Sequence, residues 1–280
     1  MNYRIIGDSC MDMPEDLKNT SCFVKVPLTV QLGSKEFIDD EFFDQKDFLN
    51  CLESSKQYPQ TASPSPAKYL ELYSGEADCI FVITLSAALS GSYNSAVVAK
   101  SLYEEENGAQ KKKIAIINSE SASSGELRIA LLIRQLCEQG LDFEEIVDRA
   151  NQFRDKMKTY FVLESLDILK KSGRISGFTE KLISVLNIKL VMGSEKGHIK
   201  KIIQERGIHR TLKRMCETVL AEVENIKDKV VVISHINNLE RAEYVKIEIQ
   251  KLCAVKDVII MNGGGITTVY AGNGGIVLAV

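Results

Sequence analysis

The chain has no tryptophan, and only five prolines and three histidines in 280 residues. His198, His209 and His235 are scattered through the second half, and none stands in H-E-x-x-H or another metal-ligand spacing. They read as structural or surface residues, and no metal site is expected. Cys10, Cys22, Cys51, Cys79, Cys137, Cys216 and Cys253 are isolated and odd in number, without a C-x-x-C pair. That spacing argues against zinc and dithiol exchange and leaves reduced, mostly buried thiols. No run approaches the roughly 20 apolar residues that span a bilayer. Met1 to Arg4 leads directly into a strand, without a basic opening and an apolar stretch. A cytoplasmic location without stable membrane insertion is expected. Charge of either sign is also not in excess. The 35 Lys and Arg residues interleave with 38 Asp and Glu, for a net charge of -3. Such a surface offers no footprint for a polyanion, so nucleic acid is not an expected partner.

What is present describes a soluble globular protein, 45% hydrophobic and 26% charged. Its length points to two domains of roughly 100 to 170 residues each. Val- and Ile-rich runs alternate with helical patterns, the rhythm of an α/β fold. Strands are expected at Tyr3–Ile6, Phe23–Leu32 with a short hairpin after it, Cys79–Leu85 and Ile114–Ile117. Helices are expected from Ser65-Pro66 to about Ser74, after the loop Ser86–Gly91, at 123–139, and at 142–157 with Asp142 as cap. This first half, 1–157, reads as a mostly parallel, Rossmann-like domain. The second, 158–280, reads as a mixed α/β domain. It opens on Thr159–Leu163 and contains a hairpin, Ile188–Met192 with Ile199–Gln204. Helices at 208–225 and 239–253 and strands Val230–Ser234, Val258–Met261 and Ile276–Val280 complete it.

Small polar clusters sit where apolar strands end: Asp8-Ser9, Thr61 to Pro66, Ser86 to Ser92, Asn118-Ser119 and Gly263 to Gly275. In an open α/β sheet the carboxyl ends of the strands border the ligand crevice, so these clusters are candidates to converge. Taken singly, each is an ordinary turn with a helix cap. Thr61-Ala62-Ser63 and Leu89-Ser90-Gly91-Ser92 both precede expected helices and offer hydroxyls beside unpaired amides, which is chemistry for an anion such as a carboxylate. Gly91 would let a ligand approach the backbone. No side-chain constellation reads as a catalytic centre.

The strings TASPSP at 61–66, LSGSYNSA at 89–96, GDSCMDMP at 7–14 and KKSGRIS at 170–176 resemble the DegV family, in matching order along essentially the whole chain. The resemblance implies a two-domain DegV-like fold with a ligand between the domains. It also implies a bacterial protein that binds one long-chain fatty acid and no other cofactor. It is then not itself an enzyme but the lipid-presenting partner of a separate ATP-binding fatty acid kinase subunit, which makes an acyl phosphate. On the family pattern Thr61 and Ser90 contact the carboxylate. Ser63, Gly91, Ser92, Asp8, Ser9, Asn118, Ser119 and Tyr270 support the head-group site. Arg174 meets the kinase or the phosphate. By its own residues, the segment Lys170, Lys171 and Arg174 reads equally as the solvated basic end of a helix.

The chain departs from the family pattern at several positions. Tyr270-Ala271-Gly272-Asn273-Gly274 stands where the family has H-T-G-P-G, and a tyrosine with a pKa near 10 supplies no positive charge at neutral pH. Ala62 replaces a Ser, Ser63 a Gln and Asn118 an Asp. These changes bear on phosphoryl transfer and the kinase partner more than on lipid binding. The alternative reading is an enzyme or binding protein for a small phosphorylated or acidic metabolite, using Asn262-Gly263-Gly264-Gly265 as a phosphate loop. Against it, no G-x-G-x-x-G opens an early βαβ unit and no Walker lysine motif exists. A storage or sensing module for lipid is a third reading. Apolar faces such as Phe48-Leu52 and Phe178-Leu182-Val185-Leu186 read as core or as walls of an acyl tunnel.

Overall fold

The computed structural model describes residues 1–109, 111–175 and 187–280. The apolar face Phe178-Leu182-Val185-Leu186 lies outside them. β1 (Tyr3–Asp8) and, beyond a short helix α1 (Glu15–Lys18), β2 (Phe23–Val26) run in parallel. The single strand expected over Phe23–Leu32 is broken at Pro27, which has no N–H for a ladder. The chain leaves the first sheet there and starts a second one. β3 (Thr29–Leu32) pairs antiparallel with β4 (Lys35–Ile38) and, past α2 (Gln45–Ser54), with β5 (Gln60–Ala62). Then come α3 (Pro66–Tyr73), β6 (Cys79–Thr84), α4 (Ser92–Asn107) and β7 (Lys113–Asn118), as the sequence pattern predicts. The first sheet is entirely parallel, in the order β2-β1-β6-β7.

Helices α5 (Ser124–Glu138) and α6 (Phe143–Lys156) lead to β8 (Thr159–Val162) and a short α7 (Asp167–Lys171). β9 (Ile188–Glu195) and β10 (His198–Arg206) form the expected hairpin, longer than its apolar core suggests. Its two-residue turn, Lys196-Gly197, has φ of 48° and 78°, the left-handed pair that matches strand twist. α8 (Ile208–Glu222), β11 (Val230–His235), α9 (Leu239–Leu252), β12 (Asp257–Asn262), α10 (Gly265–Ala271) and β13 (Ile276–Ala279) complete the description. The large sheet is mixed, ordered β10-β9-β8-β13-β11-β12, with only β11 and β12 parallel.

Side-chain alternation stacks these pieces into layers. In the first sheet Ile6, Ile80 and Val82 pack under α3 and α4, while Ile5, Phe81 and Ile83 face α5 and α6. Both faces are covered, which is why these strands read as unbroken apolar runs. In the large sheet Val231, Ile233 and Leu278 pack on α8 and α9, whereas Val232 and Met261 turn to α5. α5 is therefore a shared layer between two sheets. Its Leu127, Ile129, Ala130 and Ile133 are fully buried, and burial of each large aliphatic side chain contributes roughly 1.5–3 kcal/mol. Chain connections diverge on either side of β1 and β6, so the carboxyl ends of these two strands border the crevice where such sheets take ligands.

Candidate functional site

A cavity of about 840 Å³, counting its open mouth, lies at these strand ends. Leu28, Leu85 and Leu89 supply one apolar side, and Phe161, Leu163 and Leu169 of the second half supply another. α10 adds Ile266 and Tyr270 one turn apart. Four polar side chains meet on this wall although they are far apart in sequence: Thr61, Ser90, Arg174 and Tyr270. Thr61 Oγ1 and Tyr270 Oη are 2.7 Å apart, and Ser63 Oγ is 3.0 Å from Ser90 Oγ. The Arg174 guanidinium lies over the Tyr270 ring, 5.3 Å from its centroid. It donates from Nε to Leu89 O at 3.2 Å and from Nη1 to Ser172 O at 3.3 Å. An arginine held between a backbone carbonyl and an aromatic face keeps a fixed charge and a planar donor set beside the hydroxyls.

The expectation that two helix starts supply the hydroxyls holds for only one of them. Ser90 does precede α4, and its Oγ accepts from Ser92 N–H at 3.2 Å. Thr61 lies on β5 instead, opposite Val30 of β3. α3 starts five residues later, after Ser65, whose side chain makes no cap bond. Gly91 is not demanded by its backbone, since its φ is -74° and a Cβ there would meet Ser63 Oγ at an ordinary 3.4 Å.

The remaining candidates sit behind the wall and hold the loops that form it. Asp8 is fully buried; its Oδ2 accepts from Ser92 Oγ at 2.5 Å and Leu85 N–H at 2.8 Å, tying β1 to the loop after β6. Ser9 Oγ accepts from Leu28 N–H at 3.0 Å. Asn118 Oδ1 accepts from the N–H groups of Ala87 and Glu120, and Ser119 Oγ donates to Ser121 O. Sequence reading passed over Asp12, which stitches the two halves together. Its Oδ2 accepts from Ser123 Oγ at 2.5 Å and Ser234 Oγ at 2.8 Å, and its Oδ1 from Gly264 N–H at 2.6 Å. Its place just after β1, inside the string GDSCMDMP, is the one sign of this role in the sequence.

The model of the DegV family, for uncharacterised proteins of that family, matches residues 2–280. The chain belongs to the DegV family. A DegV domain-containing protein of Streptococcus pneumoniae is 31% identical over 99% of this chain and 98% of its own. Among solved structures, a DegV protein of Ruminococcus gnavus with vaccenic acid is 42% identical, with a TM-score of 0.96 and complete coverage of both chains. A DegV protein of Eubacterium eligens loaded with heptadecanoic acid is 31% identical, with a TM-score of 0.90, over 99% of this chain and 98% of that one. The Fatty Acid Kinase B3 protein of S. pneumoniae loaded with linoleic acid is 30% identical, with a TM-score of 0.89, over 100% and 99%. The parallel and mixed sheets are thus those of DegV structures. No helix among the described residues is long and apolar enough to cross a membrane.

One further polar group in this DegV chain runs inward from the cavity wall at Cys10. Ligand atoms of Asp8, Cys10 and Glu126 fall within 4.8 Å of one another, all in buried side chains. Asp8 already accepts from Cys10 N–H, Leu85 N–H and Ser92 Oγ, and burial pushes the Cys10 thiol well above its usual pKa, so the thiol keeps its proton. Glu126 is raised well above the usual carboxyl range, first by burial and next by the charge of Asp8. Burial also raises Asp8, against the opposing hydrogen bonds from Ser92, Leu85 and Cys10. Burial therefore holds both carboxyls toward their protonated forms. His198 is exposed, His209 packs edge-on against Tyr244, and His235 is buried with its pKa lowered by desolvation.

Proposed function

We propose that this protein binds one long-chain fatty acid between its two domains, 1–157 and 158–280. The carboxylate is gripped at Thr61 and Ser90, and the acyl chain lies along the apolar walls. The observation that carries this reading is one apolar cavity with Thr61, Ser90, Tyr270 and Arg174 gathered on its wall. The fatty acids held in the structures of three relatives at 30–42% identity support it. Burying a methylene returns about 0.8 kcal/mol, so roughly 14 of them offer about 11 kcal/mol before association costs. The tail supplies affinity and the hydroxyls supply orientation. An apolar wall of this kind disfavours the small phosphorylated metabolite, which needs polar contacts around its whole surface.

In the same reading the protein presents the carboxylate to an ATP-binding kinase subunit and does no chemistry alone. A carboxylate oxygen attacks the terminal phosphorus of ATP, the bond to ADP breaks, and an acyl phosphate forms. Arg174 neutralises charge on the transferred group, as a planar donor suits phosphate oxygens. Tyr270 orients Thr61 but adds no positive charge. The partnership is supported by the likeness to the Fatty Acid Kinase B3 protein.

Protein purified from a bacterial host, then denatured and extracted, should release one fatty acid per chain by mass spectrometry. Removing both head-group hydroxyls in Thr61→Ala with Ser90→Ala deletes two charge-assisted bonds of about 1.5–3 kcal/mol each, more than a hundredfold in affinity. Equal affinity in the double variant would reject the assignment of these residues. An extract without lipid would favour the metabolite.

A further inference from the structure

The cavity wall carries more hydroxyl groups than a carboxylate at Thr61 and Ser90 employs. Thr267 lies one turn before Tyr270 on α10, lines the same cavity and is 6% exposed. Its Oγ1 is buried and has no hydrogen-bond partner among the described residues. The next residue shows the ordinary alternative, because Thr268 Oγ1 bonds Gly264 O four residues back at 2.7 Å. The equivalent acceptor for Thr267 is Gly263 O, which already receives Gln45 Nε2 at 2.8 Å. A second donor is found between the loop before α5 and β8. Ser121 and Thr159 also line the cavity, 3% and 6% exposed, and their hydroxyls are 2.7 Å apart. One of those two protons joins the pair, and the other has no acceptor among the described residues. The other serines on the wall differ, because Ser194 Oγ donates to Glu120 O and Ser123 Oγ to Asp12.

Buried, unpaired hydroxyls are disfavoured in an apolar enclosure unless a ligand atom completes them. A plain hydrocarbon chain has no such atom. Resting on the lipid reading above, we propose that the cavity selects acyl chains bearing an oxygen function, hydroxyl or keto, along their length, recognised by Thr267 and by the Ser121–Thr159 pair. Both oxygen functions present the same acceptor to an O–H donor. The selectivity is separate from head-group binding and adds to it.

Delipidated full-length protein should be titrated with stearic acid, with a positional series of monohydroxystearic acids, and with the matching ketostearic acids. One position in the series should bind about fivefold or more tighter than stearic acid, as one recovered hydrogen bond provides. In Thr267→Val, which keeps the shape and loses the hydroxyl, the ratio of that affinity to stearic acid should fall about fivefold. Thr267→Ser should restore the ratio. Every oxygenated acid binding more weakly than stearic acid, or an unchanged ratio in Thr267→Val, overturns the proposal while the lipid reading stands. Failure of the unmodified protein to bind stearic acid at all overturns both.

Discussion

Glu126 makes the sharpest residue-scale prediction. It is fully buried, its native pKa lies above the ordinary 4.5, and the unfolded chain restores that ordinary value. The folded protein thus keeps a proton that the unfolded chain gives up. The associated stabilisation is complete below about pH 4.5 and drains as pH rises through the native value, by up to about 1.4 kcal/mol per pH unit. Glu126→Gln preserves the oxygen that accepts from Ser123 N–H and removes the titration. Thermal unfolding followed from pH 5 to 9 should therefore show a shallower decline for the variant, whereas parallel curves would refute the raised pKa of Glu126. None of this was legible in the sequence, where Glu126 reads as an ordinary acidic residue in the first turn of α5. The hydroxyls were legible because they cluster in short strings at strand ends. Asp12 and Thr267 lie inside such strings, in GDSCMDMP and in Gly263 to Gly275, but neither is a glycine, serine or strand-end residue of the kind that drew notice; the role of Asp12 comes from contacts with residues over a hundred positions away.

At the scale of elements, the helices and strands with strong periodicity were readable, and three weak segments were not. β5 has three residues and no alternation; it exists because β3 presents a free edge to it. α10 reads as a glycine-rich loop, yet the Asp39 carboxylate accepts from Gly265 N–H at 2.6 Å and Ile266 N–H at 3.0 Å and starts a helix there. Pro27 sends one expected strand into two sheets. α5 makes a prediction of its own, because it touches both sheets through small residues as well as large ones. A Cβ at Gly125 would stand 2.0 Å from Ser121 Oγ and 2.7 Å from Ser121 Cβ. Gly125→Ala, normally favourable within a helix, should instead destabilise the protein by about 1–3 kcal/mol as the loop is displaced. Denaturant midpoints would check this, and a stabilised variant would mean that the Ser121 loop yields freely.

For the whole molecule, a shared middle layer links two halves that look separable in sequence. Val232 and Met261 of the large sheet lie in one core with Ile5 and Phe81 of the first. Asp12 also receives hydrogen bonds from both halves. Circular dichroism and tyrosine fluorescence should therefore report one coincident thermal transition. Two resolved transitions would show that the halves fold independently despite α5.

The position of β13 has a consequence for how such a chain is made. It is the last strand in chain order, yet it lies between β8 and β11 and bonds to both. While the ribosome is still working, β10-β9-β8 and β11-β12 are two open ledges, each with a bare edge facing the space the other must fill. Val277 of β13 is also part of the cavity wall, so the cavity itself stays unfinished until this keystone strand has emerged.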